Sequence, residues 1–256
     1  MSRPAAFFDL DKTVIATSSA SAFARPFLSG GLLTRRAVVR SAYAQAAFLL
    51  GSADEGRTER LRLALSRTVT GWRVARVEEL VEAHVDRAIR PVLHPEAVER
   101  IAAHHAAGQD VVIVSASAAE LVRPIARLLG VDQVIATAMS VQDGRFTGEI
   151  DFYAYGEAKA VAMRRLAARQ GYDLAASFAY TDSATDLPML EAVGHGYVVN
   201  PDRTLRRLAA ERGWQVLRFR GARVQQQARR RTVGAVVTAA AITAAAAVLV
   251  LRPTAK

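Results

Sequence analysis

The apolar and polar residues of this chain follow two different periods. Short runs that are apolar throughout predict buried β-strands, since a strand covered on both faces has no polar side. Longer stretches with apolar residues at helical spacing predict amphipathic helices. The predicted strands cover residues 5–8, 110–115, 134–139, 178–181, 196–199 and 214–217, with predicted helices over 95–108 and 156–170 and another ending at 129. This alternation is typical of an α/β fold, a Rossmann-like, mostly parallel sheet with helices on both faces.

Two stretches depart from the alternation. Residues 18–90 show helical spacing over 32–50, 60–69 and 74–89 and contain no convincing strand pattern, which predicts an inserted helical cap. Residues 140–150, with Asp143-Gly144 at their centre, predict a β-hairpin. The predicted division is a catalytic core of 1–17 and 91–220, a cap of 18–90, a basic linker of 221–231 and a transmembrane helix of 232–251.

Carboxylates follow the first predicted strand at spacing two. Asp9 and Asp11 come just where the apolar run ends, and the carboxyl ends of parallel strands border the ligand crevice of such sheets. Residues i and i+2 of an extended chain point the same way, so both carboxylates are expected to face one pocket. For these two residues alone, a solvated turn after a core strand is the simpler interpretation.

Other polar residues stand at the ends of later strands or at the start of a helix. They are Ser115, Lys159, Asp182 and Asp186. Clustered carboxylates with a hydroxyl and one lysine suit phosphoryl chemistry built on Mg²⁺, a hard cation that takes carboxylate oxygens and leaves positions for phosphate. Ser115 is expected at a helix N-terminus, which binds phosphate through free N–H groups. One aspartate can attack phosphorus while another handles the leaving-group proton.

Four motifs in order give the chain a specific resemblance. They are Asp9-Leu10-Asp11-Lys12-Thr13, Ser115 after an apolar strand, Gly156-Glu157-Ala158-Lys159, and Thr181-Asp182-Ser183-Ala184-Thr185-Asp186. Their order and spacing across residues 5–200 resemble the haloacid-dehalogenase superfamily. A helical insert between the first and second motifs resembles subfamily IB, the phosphoserine-phosphatase-like enzymes with a C1-type cap.

The resemblance implies a role for each motif residue. Asp9 would be the nucleophile that forms an aspartyl-phosphate, and Asp11 would act first as an acid and then as a base. The implied Mg²⁺ ligands are Asp9, the Leu10 backbone carbonyl and Asp182, with Asp186 supporting and Asp11 weaker. The residues implied to bind the substrate phosphate are Thr13, Ser115 and Lys159.

Two positions differ from true phosphoserine phosphatases. Ser18 stands where those enzymes carry an acidic residue for the substrate ammonium, nine positions after the nucleophile. Thr185 stands where they usually carry Asn. Both differences leave the phosphoryl chemistry intact and put recognition of serine in doubt.

The charge distribution argues against a nucleic-acid partner. The chain carries a net charge of +10, but nine of its 34 basic residues lie from Arg212 onward, where no acidic residue occurs. Residues 1–211 therefore hold 25 basic against 24 acidic side chains, so no basic surface is expected across the domain. The absence of cysteine excludes disulfides, thiolate metal sites and a cysteine nucleophile.

The C-terminal tail predicts a membrane anchor. Residues 232–251 are twenty residues without a charge, enough for a helix of about 30 Å, the thickness of a bilayer core. Arg229, Arg230 and Arg231 precede this run, and positive residues are retained on the cytoplasmic side. A cytoplasmic domain anchored by one helix to the inner or cell membrane is therefore expected, with an amphipathic or buried terminal helix as the alternative.

The expected function is Mg²⁺-dependent hydrolysis of a small-molecule or lipid-linked phosphate monoester. A phosphotransferase using the same intermediate, a phosphoserine phosphatase of serine biosynthesis and a non-enzymatic membrane-anchored binding module remain alternatives. The presence of all four motifs argues against the binding module. The substrate and the oligomeric state are not readable from these patterns.

Overall fold

A seven-stranded sheet forms the centre of the computed structural model, which describes residues 3–33 and 68–220. The strand order is β4-β3-β2-β1-β5-β6-β7, and only the β3–β4 pair is antiparallel. The strands are β1 (Ala5–Asp9), β2 (Asp110–Ala118), β3 (Gln133–Gln142), β4 (Arg145–Phe152), β5 (Phe178–Thr181), β6 (His195–Val199) and β7 (Gln215–Leu217). The predicted mostly parallel α/β sheet is confirmed.

Helices cover both faces of this sheet. They are α1 (Ser19–Ser29), α2 (Val74–Ile89), α3 (Pro95–Ala106), α4 (Ala119–Leu128), α5 (Glu157–Gln170), α6 (Leu187–Glu191) and α7 (Arg203–Arg212). Alternate residues of β1 enter two separate cores: Phe8 joins the core built with α1 to α4, and Phe7 joins the core built with α5 to α7. An apolar residue at every position of 5–8 is therefore what a strand with two covered faces requires.

The central position of β1 places Asp9 in the middle of the carboxyl edge. β1 pairs in parallel with β2 on one side and with β5 on the other, with Asp9 opposite Val114 and Phe8 opposite Tyr180. Strands β2 to β4 lie on one side of β1 and strands β5 to β7 on the other, so the strand order reverses here, which is where open α/β sheets bind their ligands. The ends of three strands therefore meet around Asp9.

The predicted cap is described in part. Helices α1 and α2 pack together closely, since a Cβ added at Gly30 would lie 2.5 Å from Leu80 Cδ1 and would force that side chain to shift. The predicted helix over 74–89 is confirmed. Most of the predicted helical segments 32–50 and 60–69 lies outside the described residues, and the domain division remains a prediction.

The predicted hairpin is confirmed as β3 and β4. Asp143 (φ 50°) and Gly144 (φ 70°) both take the left-handed conformation, as a two-residue type I′ hairpin turn requires. β3 begins one residue earlier and ends three residues later than the predicted strand 134–139, because its second half pairs with β4 rather than with β2.

The predicted membrane anchor needs correction. Within residues 3–33 and 68–220, no helix is long and apolar enough to cross a membrane. The longest described helix, α2, has 16 residues, about 24 Å, and carries charged side chains along its exposed face. The predicted helix 232–251 and the linker 221–231 lie outside the described residues. The prediction relied on a run without charges that is rich in weakly hydrophobic alanine, and we retain neither the transmembrane helix nor the membrane-anchored location.

Candidate active site

A buried ion cluster joins the first, third and fourth motifs. Lys159 Nζ lies 2.7 Å from Asp9 Oδ1 and 2.8 Å from Asp186 Oδ2. All three side chains are buried. Thr181 Oγ1 also donates to Asp186 Oδ2, at 2.8 Å. The first turn of α5 and the segment after β5 therefore both converge on the end of β1.

The cluster carries more negative than positive charge. Burial raises the pKa of Asp9 to about 8, and Asp186 and Asp182 add to this shift against the opposing effect of Lys159. Burial also raises the pKa of Asp182 to about 6, again with a contribution from Asp186. Burial alone would lower the pKa of Lys159, but Asp9 and Asp186 outweigh it and hold that pKa above its ordinary value. The ammonium groups of Lys159 and Lys12 thus act on three carboxylates, and the remaining negative charge favours a further cation.

Asp11 has a different set of partners. The backbone N–H of Ser19 donates to Asp11 Oδ1 at 2.9 Å, and the hydroxyl of Ser117 donates to Oδ2 at 3.0 Å. Burial raises the pKa of Asp11 despite these hydrogen bonds. The two carboxylates of the first motif are therefore separated chemically, one paired with a cation and the other held by neutral donors.

A tight turn causes this separation. β1 ends at Asp9, so the extended geometry on which the prediction of a shared pocket relied stops there. Lys12 takes a left-handed conformation (φ 66°), and the N–H groups of Val14 and Ile15 both donate to the Leu10 carbonyl at 3.0 Å. The two lone pairs of the Leu10 oxygen are thereby engaged in the turn.

Gly156 directs the chain into the third motif. It is the N-cap of α5, with φ 54° and ψ −128°, a conformation that essentially only glycine adopts. A Cβ there would lie 3.7 Å from the Thr185 carbonyl, an ordinary contact, so the backbone conformation and not the space requires glycine. The left-handed backbone turns the chain into α5 three residues before Lys159, so the lysine enters the cluster from the first turn of the helix.

The remaining predicted residues lie around this cluster. Thr13 is buried, and its hydroxyl faces Asp182 Oδ1 at 3.5 Å. Ser115 is buried, follows the residue opposite Asp9 on β2, and accepts a hydrogen bond from the N–H of Ser117 at 3.1 Å. β2 continues to Ala118 and α4 begins at Ala119. The expected placement of Ser115 at a helix N-terminus is therefore wrong.

Three polar residues of the site were missed in the sequence. Ser19 and Ser117 contact Asp11, and Thr181 contacts Asp186. Ser117 stands two residues after Ser115, and that spacing within an extended strand was the available signal. The small residues after Val114 look like a turn, and this hid the signal.

The donor set fits Mg²⁺ bound together with a substrate. No group of three or more His, Asp or Glu side chains forms a ready-made metal cage in the part of the chain that the structure describes. Mg²⁺ is commonly held by one or two carboxylates plus substrate phosphate and water. Lys159 engages Oδ1 of Asp9, and Asp182 lies near enough to raise the pKa of Asp9. These two carboxylates, in a cluster with excess negative charge, match that requirement.

Comparison with known proteins identifies the family. The family model of haloacid dehalogenase-like hydrolases matches residues 6–191. A Streptomyces azureus protein named for inhibition of morphological differentiation is 56% identical over 88% of this chain and 82% of its own length. A probable phosphatase of Mycobacterium tuberculosis is 55% identical over 85% of this chain and 76% of its own length. A phosphoserine phosphatase of the same organism is 39% identical over 86% and 72%.

Solved structures agree on the fold. A Bordetella pertussis protein of unknown function superposes with a TM-score of 0.73 and 31% identity, over 85% of this chain and 99% of that one. A phosphoserine phosphatase holding an analogue of its phospho-aspartyl intermediate superposes with a TM-score of 0.57 and 21% identity, over 85% and 93%. With four motifs at one sheet edge and a family model spanning them, this chain belongs to the haloacid dehalogenase-like hydrolases.

Proposed function

We propose that this chain is a phosphatase that transfers the phosphoryl group of a small phosphate monoester first to Asp9 and then to water. The observation that carries this proposal is the chemical separation of Asp9 from Asp11. Asp9 lies against the ammonium of Lys159, whereas the hydrogen-bond partners of Asp11 among the described residues are uncharged. The ammonium opposes the effect of burial on Asp9 and favours the anion that attack requires, while Asp11 is suited to carry a proton.

In the first step an Asp9 oxygen attacks phosphorus. The bond from phosphorus to the leaving oxygen breaks, and that oxygen takes the proton of the Asp11 carboxyl group. Lys159 offsets the negative charge around Asp9 and donates a hydrogen bond to its Oδ1, which orients the carboxylate. The products of this step are the free alcohol, the Asp9 acyl phosphate and an ionised Asp11.

In the second step water attacks phosphorus and gives its proton to the Asp11 carboxylate. The bond from phosphorus to the Asp9 oxygen breaks, which restores Asp9 as an anion and releases phosphate. Mg²⁺, which the Asp9 and Asp182 carboxylates would hold, would supply positive charge to the phosphoryl oxygens when bound. Asp186 holds Lys159 in place through its 2.8 Å ion pair.

In the structure Ser18 caps helix α1. Its hydroxyl accepts from Ser21 N at 3.2 Å and contacts Ser21 Oγ at 2.7 Å. A neutral capping serine offers no ion pair to a substrate ammonium. We therefore propose a phosphate monoester without an obligatory amine as the substrate class.

Phosphoserine hydrolysis is the second candidate. The relative named phosphoserine phosphatase, at 39% identity, favours it, and the neutral side chain at position 18 opposes it. A phosphotransferase would differ only in the acceptor of the Asp9 phosphoryl group, an alcohol in place of water.

The proposal is tested with a panel of phosphate monoesters at saturating Mg²⁺. Wild-type protein should release phosphate, and Asp9→Asn should abolish turnover because an amide is not a nucleophile here. The matched control is Asp132→Asn, which should retain wild-type rates. Asp132 is exposed and lies just before β3, at the amino ends of the parallel strands and away from Asp9. Turnover by Asp9→Asn at the wild-type rate would refute the proposed role.

A further inference from the structure

Hydrogen-bond donors from two elements, the first turn of α1 and β2, hold the Asp11 carboxylate. The N–H of Ser19 bonds Oδ1 at 2.9 Å, and the hydroxyl of Ser117 bonds Oδ2 at 3.0 Å. The hydroxyl of Ser19 lies 2.7 Å from Ser117 Oγ and 3.4 Å from Asp11 Oδ2. Both carboxylate oxygens are therefore held, which fixes the plane of the group as well as its position.

The donors form a directed chain. Ser19 donates its hydroxyl proton to Ser117, and Ser117 donates its own to Asp11. Such chains polarise each successive bond, so the last bond is stronger than an isolated one. Each carboxylate oxygen has two lone-pair sites, so a site for the transferred proton remains on either oxygen.

Ser117 reaches this position because β2 is longer than its apolar run. The strand continues past Val114, with a register shift between Ser115 and Ala118 where it pairs with β3. Ser115 and Ser117 use different atoms in their contacts: Ser115 receives the backbone N–H of Ser117, and the hydroxyl of Ser117 remains for Asp11. Replacement of Ser117 by alanine thus removes the contact to Asp11 and keeps the contact to Ser115.

Ser19 joins the same contact from the predicted cap. It is buried and is the first residue of α1, directly after the N-cap Ser18. Asp11 is consequently fixed between β2 and the first turn of α1, and its partners on these two described elements are uncharged.

We propose that Ser117, supported by Ser19, is a positioning residue that orients Asp11 for proton transfer to the leaving oxygen. This inference rests on the proposed function, in which Asp11 gives its proton as the bond from phosphorus to that oxygen breaks. Loss of the Ser117 hydroxyl leaves Oδ2 without its main donor and allows the carboxyl group to rotate. The transfer of a proton from Asp11 to a poor leaving group should then become slower, whereas the attack of Asp9 on phosphorus should be unaffected.

Two esters that differ in their leaving groups distinguish this positioning role from a purely structural role. An alkoxide leaves only when protonated, whereas 4-nitrophenolate leaves as an anion without a proton. The constant kcat/KM reports the steps up to the first phosphoryl transfer, so it isolates the acid step of Asp11. We therefore compare kcat/KM for glycerol 2-phosphate and 4-nitrophenyl phosphate in wild-type protein and in Ser117→Ala.

The expected result is a selective loss. Ser117→Ala should lower kcat/KM at least about tenfold with the alkyl ester, as small misplacements of a reacting group do, and leave the nitrophenyl ester within about threefold. Ser117→Thr, which keeps a hydroxyl, should recover most of the loss. Ser19→Ala should show the same selectivity with a smaller effect. Ser29→Ala, whose hydroxyl bonds only backbone carbonyls of α1, should match wild type on both esters.

Equal losses on both esters, or no loss on either, would overturn the proposal. If Ser117→Ala does not fold, Ser19→Ala alone decides between selective and uniform loss. Failure of the proposed function is distinguishable from either result, because wild-type protein would then hydrolyse neither ester.

Discussion

Removal of the buried ammonium is the sharpest perturbation that the structure offers. Lys159→Met keeps the length of the side chain and leaves Asp9 and Asp186 facing each other without their shared cation. Their side chains are 9% and 3% exposed, and that of Lys159 is 3% exposed, so water cannot replace the lost contacts. Removal of one partner of a buried ion pair typically lowers the free energy of unfolding by about 3–5 kcal/mol.

A surface pair on the same helix provides the control. Arg164 lies 3.0 Å from Glu157, nearly the same separation, but these side chains are 50% and 61% exposed. Exposed pairs contribute about 0–1 kcal/mol, so Arg164→Met should change the free energy of unfolding by less than about 1 kcal/mol. Burial, rather than distance, thus accounts for the expected difference.

The assay is urea unfolding without divalent metal at pH 7. Lys159→Met should lose about 3–5 kcal/mol, because the buried Asp186 loses the ammonium that lies 2.8 Å from it. The variant should also lose phosphatase activity. A loss below about 1 kcal/mol would refute the reasoning that Lys159 stabilises this buried cluster.

Three further predictions follow from the site. Burial raises the pKa of Asp9 to about 8, whereas its pKa in the unfolded chain is near 4, so the stability that protonated Asp9 contributes is fully present below pH 4 and is lost as pH rises through 8. The free energy of unfolding of metal-free wild type, measured at each pH, should therefore fall over this range, and Asp9→Asn should flatten the dependence. Asp182→Ala should raise the Mg²⁺ concentration for half-maximal activity and lower kcat, and an unchanged Mg²⁺ titration would exclude Asp182 as a metal-holding residue. L-phosphoserine should not be strongly preferred over esters without an amine, because Ser18 is neutral; a kcat/KM for phosphoserine far above that of every other ester would show that another residue recognises the ammonium.

The central part of the fold was predictable because its sequence signals are local. A run that is apolar at every position must be covered on both faces, and this requirement predicts the two cores that β1 joins. The Asp143-Gly144 turn needs two left-handed residues, which few other pairs tolerate. The positions of Asp9 and Asp182 at strand ends follow from the same local patterns.

The partners of Asp11 were not predictable in the same way. They depend on a turn in which Lys12 becomes left-handed and on a strand that continues past its apolar residues to Ala118. The continuation comes from pairing with β3, which is non-local, so the spacing of Ser115 and Ser117 indicates a shared direction only once the strand is known to extend that far. The prediction of a membrane anchor was wrong for a related reason. It inferred a lipid environment for residues 232–251 from their composition alone.

The most direct measurement is detection of the phosphoryl group on Asp9 itself. Wild-type protein mixed with a hydrolysable ester and Mg²⁺ is quenched in acid within the first turnover, digested and examined by mass spectrometry. The peptide containing Asp9 should carry the mass of one phosphoryl group on that residue, and the signal should disappear when the substrate is exhausted. A protein that releases phosphate with burst kinetics, yet carries the phosphoryl group on another residue, would contradict the account.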